Sequence, residues 1–266
     1  MDITNNTILI TGGTSGIGFE LAAQLLKLGN TVIITGRDRS RLDSVRNKLP
    51  GVHTLQSDVS DPKAITVLFE EVTKGFPKLN ILINNAGIMR KINLLGDGKD
   101  KGKDLEDITS EIETNLVGPV RMVAQFLPHL KNKETAAIVN VSSGLAFVPF
   151  PISPIYSATK AGLHSFTQCL RVQLKNTRIK VFELAPPATR TPMLTGVFDS
   201  GDFKGSATMD VVKLVAQAIT GFKKDRLEIR PGLSNVLKVM SRIAPQFILK
   251  QLSKPVDAML AQATPQ

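Results

Sequence analysis

The sequence predicts one α/β domain, a doubly wound parallel sheet with helices on both faces. Three observations lead there. Short, continuously apolar and β-branched runs alternate with stretches of helical periodicity from Ile8 to Leu184, the pattern of strands covered on both sides. A glycine-rich turn joins the first strand-like run to the first helical stretch, as in open sheets that bind ligands at their carboxyl ends. No internal repeat and no linker of changed composition divides the 266 residues, a length that suits one large domain.

Taken in order, residues 8–11 are a short apolar strand. Residues 17–28 place apolar side chains at helical spacing and stop at Gly29-Asn30. Residues 31–35 are β-branched and apolar, a good buried strand. A charged helix follows over 40–48, closed by Leu49-Pro50-Gly51, and residues 52–56 form the third strand. Asp61-Pro62 opens a helix with a capping carboxylate followed by a proline at the first position. Residues 79–83 are the fourth strand. Residues 96–104, rich in Lys, Asp and Gly, read as a solvated loop before a long helix ending near Leu130. A fifth strand over 136–141, a helix over 156–175 and a sixth strand over 179–184 complete the alternation. Residues 194–225 then read as a substrate-loop region, and 231–266 as a helical extension of the same domain.

The charge balance, 33 basic against 23 acidic residues, gives +10. The basic residues are scattered, with modest clusters over 37–46 and 238–254. One tyrosine and no tryptophan leave no aromatic platform for single strands, so no nucleic-acid partner is expected. Most of the charge reads as solvated surface, and a local part fits a phosphorylated ligand. No run approaches the ~20 apolar residues of a spanning helix. The first residues lack the basic region of a signal peptide, and the single Cys169 has no internal partner, so a cytoplasmic setting is expected. Cys169 lies in an apolar helical stretch and is expected to be a buried structural thiol. His53, His129 and His164 show no ligand spacing, so no metal site is predicted.

Two segments carry chemistry. In Thr11-Gly12-Gly13-Thr14-Ser15-Gly16-Ile17-Gly18, glycines at 12, 16 and 18 let the backbone turn tightly and approach a pyrophosphate, which the helix N-terminus beyond favours. At the end of the second strand, Thr35-Gly36-Arg37 replaces the acidic residue that accepts hydrogen bonds from a free ribose 2′-hydroxyl. Arg37, assisted by Arg39, can pair with a 2′-phosphate, so NADP(H) is the expected cofactor. Further on, Tyr156 and Lys160 are four apart on a helix and share a face. Tyr156 is the only tyrosine, and Ser143 lies thirteen residues before it at a strand end, with Ser142 as its nearest rival.

Together these motifs resemble the short-chain dehydrogenase/reductase (SDR) family over roughly residues 5–195. The turn from Thr11 to Gly18 looks like its glycine motif, including Thr14, Ser15 and Ile17. Asn84-Asn85-Ala86-Gly87 matches a second motif, and Asp58-Val59 resembles the pair at the adenine ring. Asn115, Ser143, Tyr156 and Lys160 match the family tetrad in order and spacing. The resemblance implies a Rossmann-like single domain that transfers hydride between NADP(H) and a carbonyl or alcohol. Tyr156 would exchange the proton, its phenolate favoured by Lys160 and the oxidised nicotinamide, against an ordinary pKa of ~10. Ser143 would hold the carbonyl oxygen, Lys160 the nicotinamide ribose, and Asn115 a water linking Lys160 to solvent. Pro186, Thr189 and Thr191 would frame the nicotinamide amide, and a homodimer or homotetramer is implied through the long helices.

The chain departs from the pattern in three places. Ser15 stands where many NADP-dependent relatives carry a basic residue. Pro187 replaces a glycine and removes a backbone donor. Beyond Arg230-Pro231-Gly232, a basic amphipathic stretch from Leu233 to about Leu260, interrupted by Pro245 and Pro255, replaces the usual ending; it reads as helices packing over the substrate cleft or a partner subunit, with a peripheral membrane contact as the alternative. Phe147, Val148, Phe150, Ile152, Phe198 and Phe203 are expected to make the substrate wall apolar, and Arg190 either faces that cleft or is solvated. Two alternatives stay open: a membrane-associated lipid or cell-envelope reductase, and a non-catalytic dinucleotide-sensing module.

Overall fold

Side chains alternate between faces along a strand, and the layers of this protein follow from that period of two. In the computed structural model, which describes residues 1–94, 105–198 and 208–261, the strands are β1 (Thr7–Thr11), β2 (Thr31–Gly36), β3 (His53–Gln56), β4 (Leu79–Asn84), β5 (Ala136–Val141), β6 (Ile179–Leu184) and β7 (Glu228–Ile229). They form one sheet in the order β3-β2-β1-β4-β5-β6-β7, with every neighbouring pair parallel. Ile8 and Ile10 of β1, with Ile34 and Phe182, face a layer made by α1 (Gly16–Lys27), α2 (Arg39–Lys48) and α8 (Val211–Lys223). Leu9, Ile33, Leu82 and Ile138 face the other layer, made by α3 (Pro62–Gly75), α5 (Gly118–Lys131) and α6 (Pro154–Gln173). Both faces are therefore apolar, and the strands read as unbroken hydrophobic runs.

The helix boundaries have local causes. Asp61 accepts a hydrogen bond from the Lys63 N–H at 2.8 Å, with Pro62 just inside the start of α3. Asp38 and Asp210 cap α2 and α8 in the same way. Gly29, with φ of 79°, ends the turn after α1.

The structure departs from the expectations in particular places. The long helix before Leu130 is three segments: α4 (Leu105–Ile112), a π-turn over Glu113–Val117, and α5. The wider π-turn admits one extra residue, and it sits where Asn115 bonds to a neighbouring loop. A seventh strand of two residues, too short to leave a sequence pattern, pairs alongside β6 at the edge of the sheet. Cys169 is exposed rather than buried, because it falls on the outer side of α6 while Leu163, Thr167 and Leu170 face inward. Within 194–225, α8 belongs to the layer over the sheet, where Val215, Ala218 and Phe222 are buried. The C-terminal extension folds as α9 (Leu233–Ile243) and α10 (Pro245–Ala261); Pro245 starts α10, and Pro255 lies inside it. The expected loop over 96–104 and Phe203 lie outside the described residues.

A third apolar cluster caps the carboxyl end of the sheet. Met89, Phe150, Ile152, Tyr156 and Phe198 pack there with Leu194 and Val197 of α7 (Pro192–Val197) and Leu252, Val256 and Met259 of α10. Chain direction across the sheet reverses between β1 and β4, and a crevice opens at that switch point.

Candidate active site

The glycine turn after β1 and the loop after β4 are built against each other. The Thr11 hydroxyl accepts from the N–H groups of Asn85 and Ala86 at 3.0 and 3.1 Å. The Asn85 amide donates back to the carbonyls of Thr11 and Gly12 at 3.0 and 2.9 Å. A Cβ on Gly12 would lie 2.7 Å from the Ala86 Cα, so only glycine permits this approach. Gly18 sits behind the turn, where a Cβ would meet the Gly12 carbonyl oxygen at 2.3 Å. It fixes how close α1 comes to β1 and does not line the cleft.

The cleft in front has a volume of about 1300 Å³. Its walls include Gly12, Thr14, Ser15, Gly16 and Ile17 at one side, then Arg37, Asp58 and Val59, and Asn85, Ala86 and Gly87 at its floor. Ser143, Tyr156, Lys160, Pro186, Thr189 and Thr191 line its deeper part. A dinucleotide fits this surface on three counts. Among the described residues no side chain caps α1, so its first-turn N–H groups are open to an anion. The buried Thr35 hydroxyl on the wall has no partner among the described residues. Cationic side chains stand at the end of β2.

Those cations are Arg37 and Arg41, not Arg37 and Arg39. Arg37 is 62% exposed and 3.8 Å from the Asp58 carboxylate, a spacing loose enough to leave it available. Gln56 donates to its carbonyl at 2.8 Å and fixes the backbone there. Arg39, at the first position of α2, turns away to Asp43, while Arg41 lines the cleft. Asp38 also reaches the wall, but its carboxylate accepts from Ser40 and from the Arg41 N–H as the helix cap.

At the deeper end Tyr156 is 8% exposed and lines the cleft together with Ser143. Burial pushes its phenol up to about 12, the nearby Ser143 hydroxyl acts against this, and the Glu111 carboxylate adds to it. The Lys160 ammonium stands 5.6 Å from the centre of the phenol ring. Lys160 is itself buried, which lowers it to about 8, and it donates to the Val141 carbonyl at 2.9 Å. Ser143 also accepts from the Leu145 N–H at 3.1 Å. Ser142 points the other way, donating to Glu183 at 2.5 Å. The Glu183 carboxylate in turn holds His164 Nδ1 at 2.8 Å.

Asn115 is buried and off the cleft wall. Its side-chain oxygen accepts from the Ile88 N–H, and its amide donates to the Ile88 carbonyl, both at 2.8 Å. Its second amide hydrogen is directed to Thr159, 3.3 Å away. It pins the loop beside Gly87, where a Cβ would stand 3.5 Å from the Lys160 ammonium.

The Pro186-Pro187 loop is tied at both ends. Gly144 N–H donates to the Pro186 carbonyl at 2.7 Å, and residues 188–190 pair with Met209. Arg190 is exposed and away from the cleft. Of the predicted apolar wall, Phe150 lines the cleft, while Ile152 and Phe198 pack behind it. Phe147 instead stacks edge-on with His164 at 5.0 Å on the outer side. Met89, Leu145, Leu237 and Leu252 complete the wall. They come from four separate segments, and no spacing in the sequence signals them.

His164, Glu183 and Glu228 bring ligand-capable atoms within 4.8 Å of one another. Glu228 is already paired with Lys238 and Arg230, and Glu183 with His164 and Ser142, so the charges are matched by protein groups.

The sequence model of the short chain dehydrogenase family matches residues 6–201. The chain belongs to this family. Among curated relatives, the uncharacterized oxidoreductase DltE of Bacillus subtilis is 50% identical over 191 residues, covering 72% of this chain and 74% of that protein. Among solved structures, a short-chain dehydrogenase from Sphingobium yanoikuyae in complex with NADPH has a TM-score of 0.76 at 28% identity, covering 98% of this chain and 96% of that one. A 3-ketoacyl-(acyl-carrier-protein) reductase from Brucella melitensis complexed with NADH has a TM-score of 0.74 at 27% identity, covering 83% and 91%. This chain is therefore a short-chain dehydrogenase and an oxidoreductase by family, and of the two solved structures one holds NADPH and the other NADH.

Proposed function

We propose that this oxidoreductase reduces the carbonyl group of an apolar small molecule with NADPH. The observation that carries the reading is the buried Tyr156–Ser143 pair beside Lys160, at one end of a cleft whose other end carries Arg37 and Arg41. The first-turn N–H groups of α1 would hold the pyrophosphate, Asp58 and Val59 the adenine, and the two arginines a 2′-phosphate. Pro186, Thr189 and Thr191 would border the nicotinamide amide, and Lys160 its ribose. When bound, the cofactor supplies the hydride that the substrate carbon takes up.

The remaining steps belong to the chain. Ser143 donates a hydrogen bond to the carbonyl oxygen and polarises it. Tyr156 gives its proton to that oxygen, so carbonyl plus hydride plus proton becomes an alcohol. The neutral phenol is the form that a reduction consumes. The Lys160 charge stabilises the phenolate left behind. Asn115 acts as a positioning residue, through Ile88. The apolar wall from Met89, Phe150 and Leu252 supports a hydrophobic substrate.

Titration by nicotinamide fluorescence tests the cofactor, since no tryptophan adds background. Tight NADPH binding with much weaker NADH binding is expected. Equal affinities would remove the 2′-phosphate assignment, and binding of neither would favour a module without redox chemistry.

A further inference from the structure

We infer that the outer face of α9 and α10 docks on an anionic lipid surface. Among the described residues, no helix is long and apolar enough to cross a membrane, so this contact is peripheral. On α9, Leu233, Val236, Met240 and Ile243 recur at helical spacing, and Val239 flanks them. Ile243 is 74% exposed and Phe247, at the start of α10, is 56% exposed. No other stretch of the described chain gathers so many large exposed apolar side chains.

Charge supplies the identity of the partner. From Ile229 to Val256 there is no Asp or Glu, whereas Arg230, Lys238, Arg242, Lys250 and Lys254 are basic. Arg230 and Lys238 are committed to Glu228. Arg242, Lys250 and Lys254 are exposed, and among the described residues none of them pairs with a carboxylate. An apolar stripe flanked by cations of one sign complements lipid headgroups of opposite charge over apolar chains. A second copy of this chain, with its own net positive charge, would bring like charges together there.

The stripe is also continuous with the cleft. Leu233 and Val236 belong to both, and Ile248 and Leu252 carry the apolar wall inward toward Tyr156. A compound dissolved in the lipid would then meet apolar surface along its whole route. That last step rests on the proposed reductase activity, whereas the docking does not.

Co-sedimentation of the full chain with vesicles tests the docking without turnover. Vesicles of equal parts phosphatidylglycerol and phosphatidylcholine should pellet the protein at low salt, and phosphatidylcholine alone should not. At about fivefold per cation, Arg242→Gln with Lys250→Gln should weaken binding ~10-fold or more. Ile243→Glu with Phe247→Glu should abolish it, and both variants should keep the NADPH titration of the parent. Failure to bind the mixed vesicles, equal binding to phosphatidylcholine alone, or binding unchanged in both variants would overturn the inference. So would sedimentation velocity showing that Ile243→Glu with Phe247→Glu dissociates an oligomer, which would make the face a subunit contact.

Discussion

Tyr156 and Lys160 stand one helical turn apart, and desolvation moves each toward its neutral form: the phenol up to about 12 and the ammonium down to about 8. Reduction needs the protonated phenol, which persists across the working range. It also needs the Lys160 charge, which is lost as pH rises through about 8. The kcat/KM for reduction should therefore fall above that pH, and Lys160→Arg should move the fall upward; a profile flat from neutral to pH ~10 would remove the role given to the charge. The same group leaves a mark on stability. Between about 8 and its ordinary 10.5 the unfolded chain binds more protons at Lys160 than the folded one, so its contribution makes stability rise with pH there. Tyr156→Phe should lower turnover by a factor of ~10² or more with NADPH binding intact, and a variant retaining most of its rate would end the proton-donor assignment. Arg37→Asp should shift the NADPH-to-NADH affinity ratio toward NADH by ~10-fold or more, read by the two titrations. That Tyr156, Lys160 and Arg37 line one cleft was legible at residue scale because residue type and spacing survive in the sequence. The assignment of Arg39 was not, since which arginine of α2 turns to the cleft depends on how the Asp38 cap orients the helix.

Helix α9 presses directly on the turn that carries Ser143. A Cβ on Gly144 would stand 2.8 Å from the Ser234 hydroxyl and 3.0 Å from Leu237 Cδ1. Gly144→Ala should then cost about 1–3 kcal/mol, seen as a lower Tm, and it should raise KM by tilting α9. The Ser234 hydroxyl is buried without a partner among the described residues, so Ser234→Ala alone should be neutral or stabilising and should relieve part of the Gly144→Ala loss. A loss of equal size with and without Ser234→Ala would show that the helix yields elsewhere. Element starts with a chemical signature, such as Asp61-Pro62, could be read directly. The π-turn at Asn115 could not, because its cause is a loop from a distant strand that takes up both ends of one amide. The two-residue β7 left no period to detect.

At the scale of the molecule, the cleft exists because the sheet order reverses between β1 and β4 and the chain ends there separate. The departures at Pro187 and at the C-terminus belong together. The left-handed Gly232 that starts α9 has its Cβ position 3.7 Å from the Pro187 ring, so the altered loop seats the altered ending. Gly232→Ala forces a side chain into φ of 54° and should loosen α9 more than it destabilises the sheet; hydrogen exchange in 233–243, compared with β1, would measure this. Equal loss of protection in both regions would contradict that division.

By itself the sequence determined the layering, the glycine turn and the Ser143–Tyr156–Lys160 spacing. Each is a local pattern, set by a strand period of two, a helical period of 3.6 or a backbone that tolerates only glycine. Tertiary structure alone decided that Gly18 and Asn115 stand off the cleft, that Cys169 faces outward and that Met89, Leu237 and Leu252 form the substrate wall. It also set the desolvation of Tyr156, which depends on everything packed around the ring and pushes the phenol up.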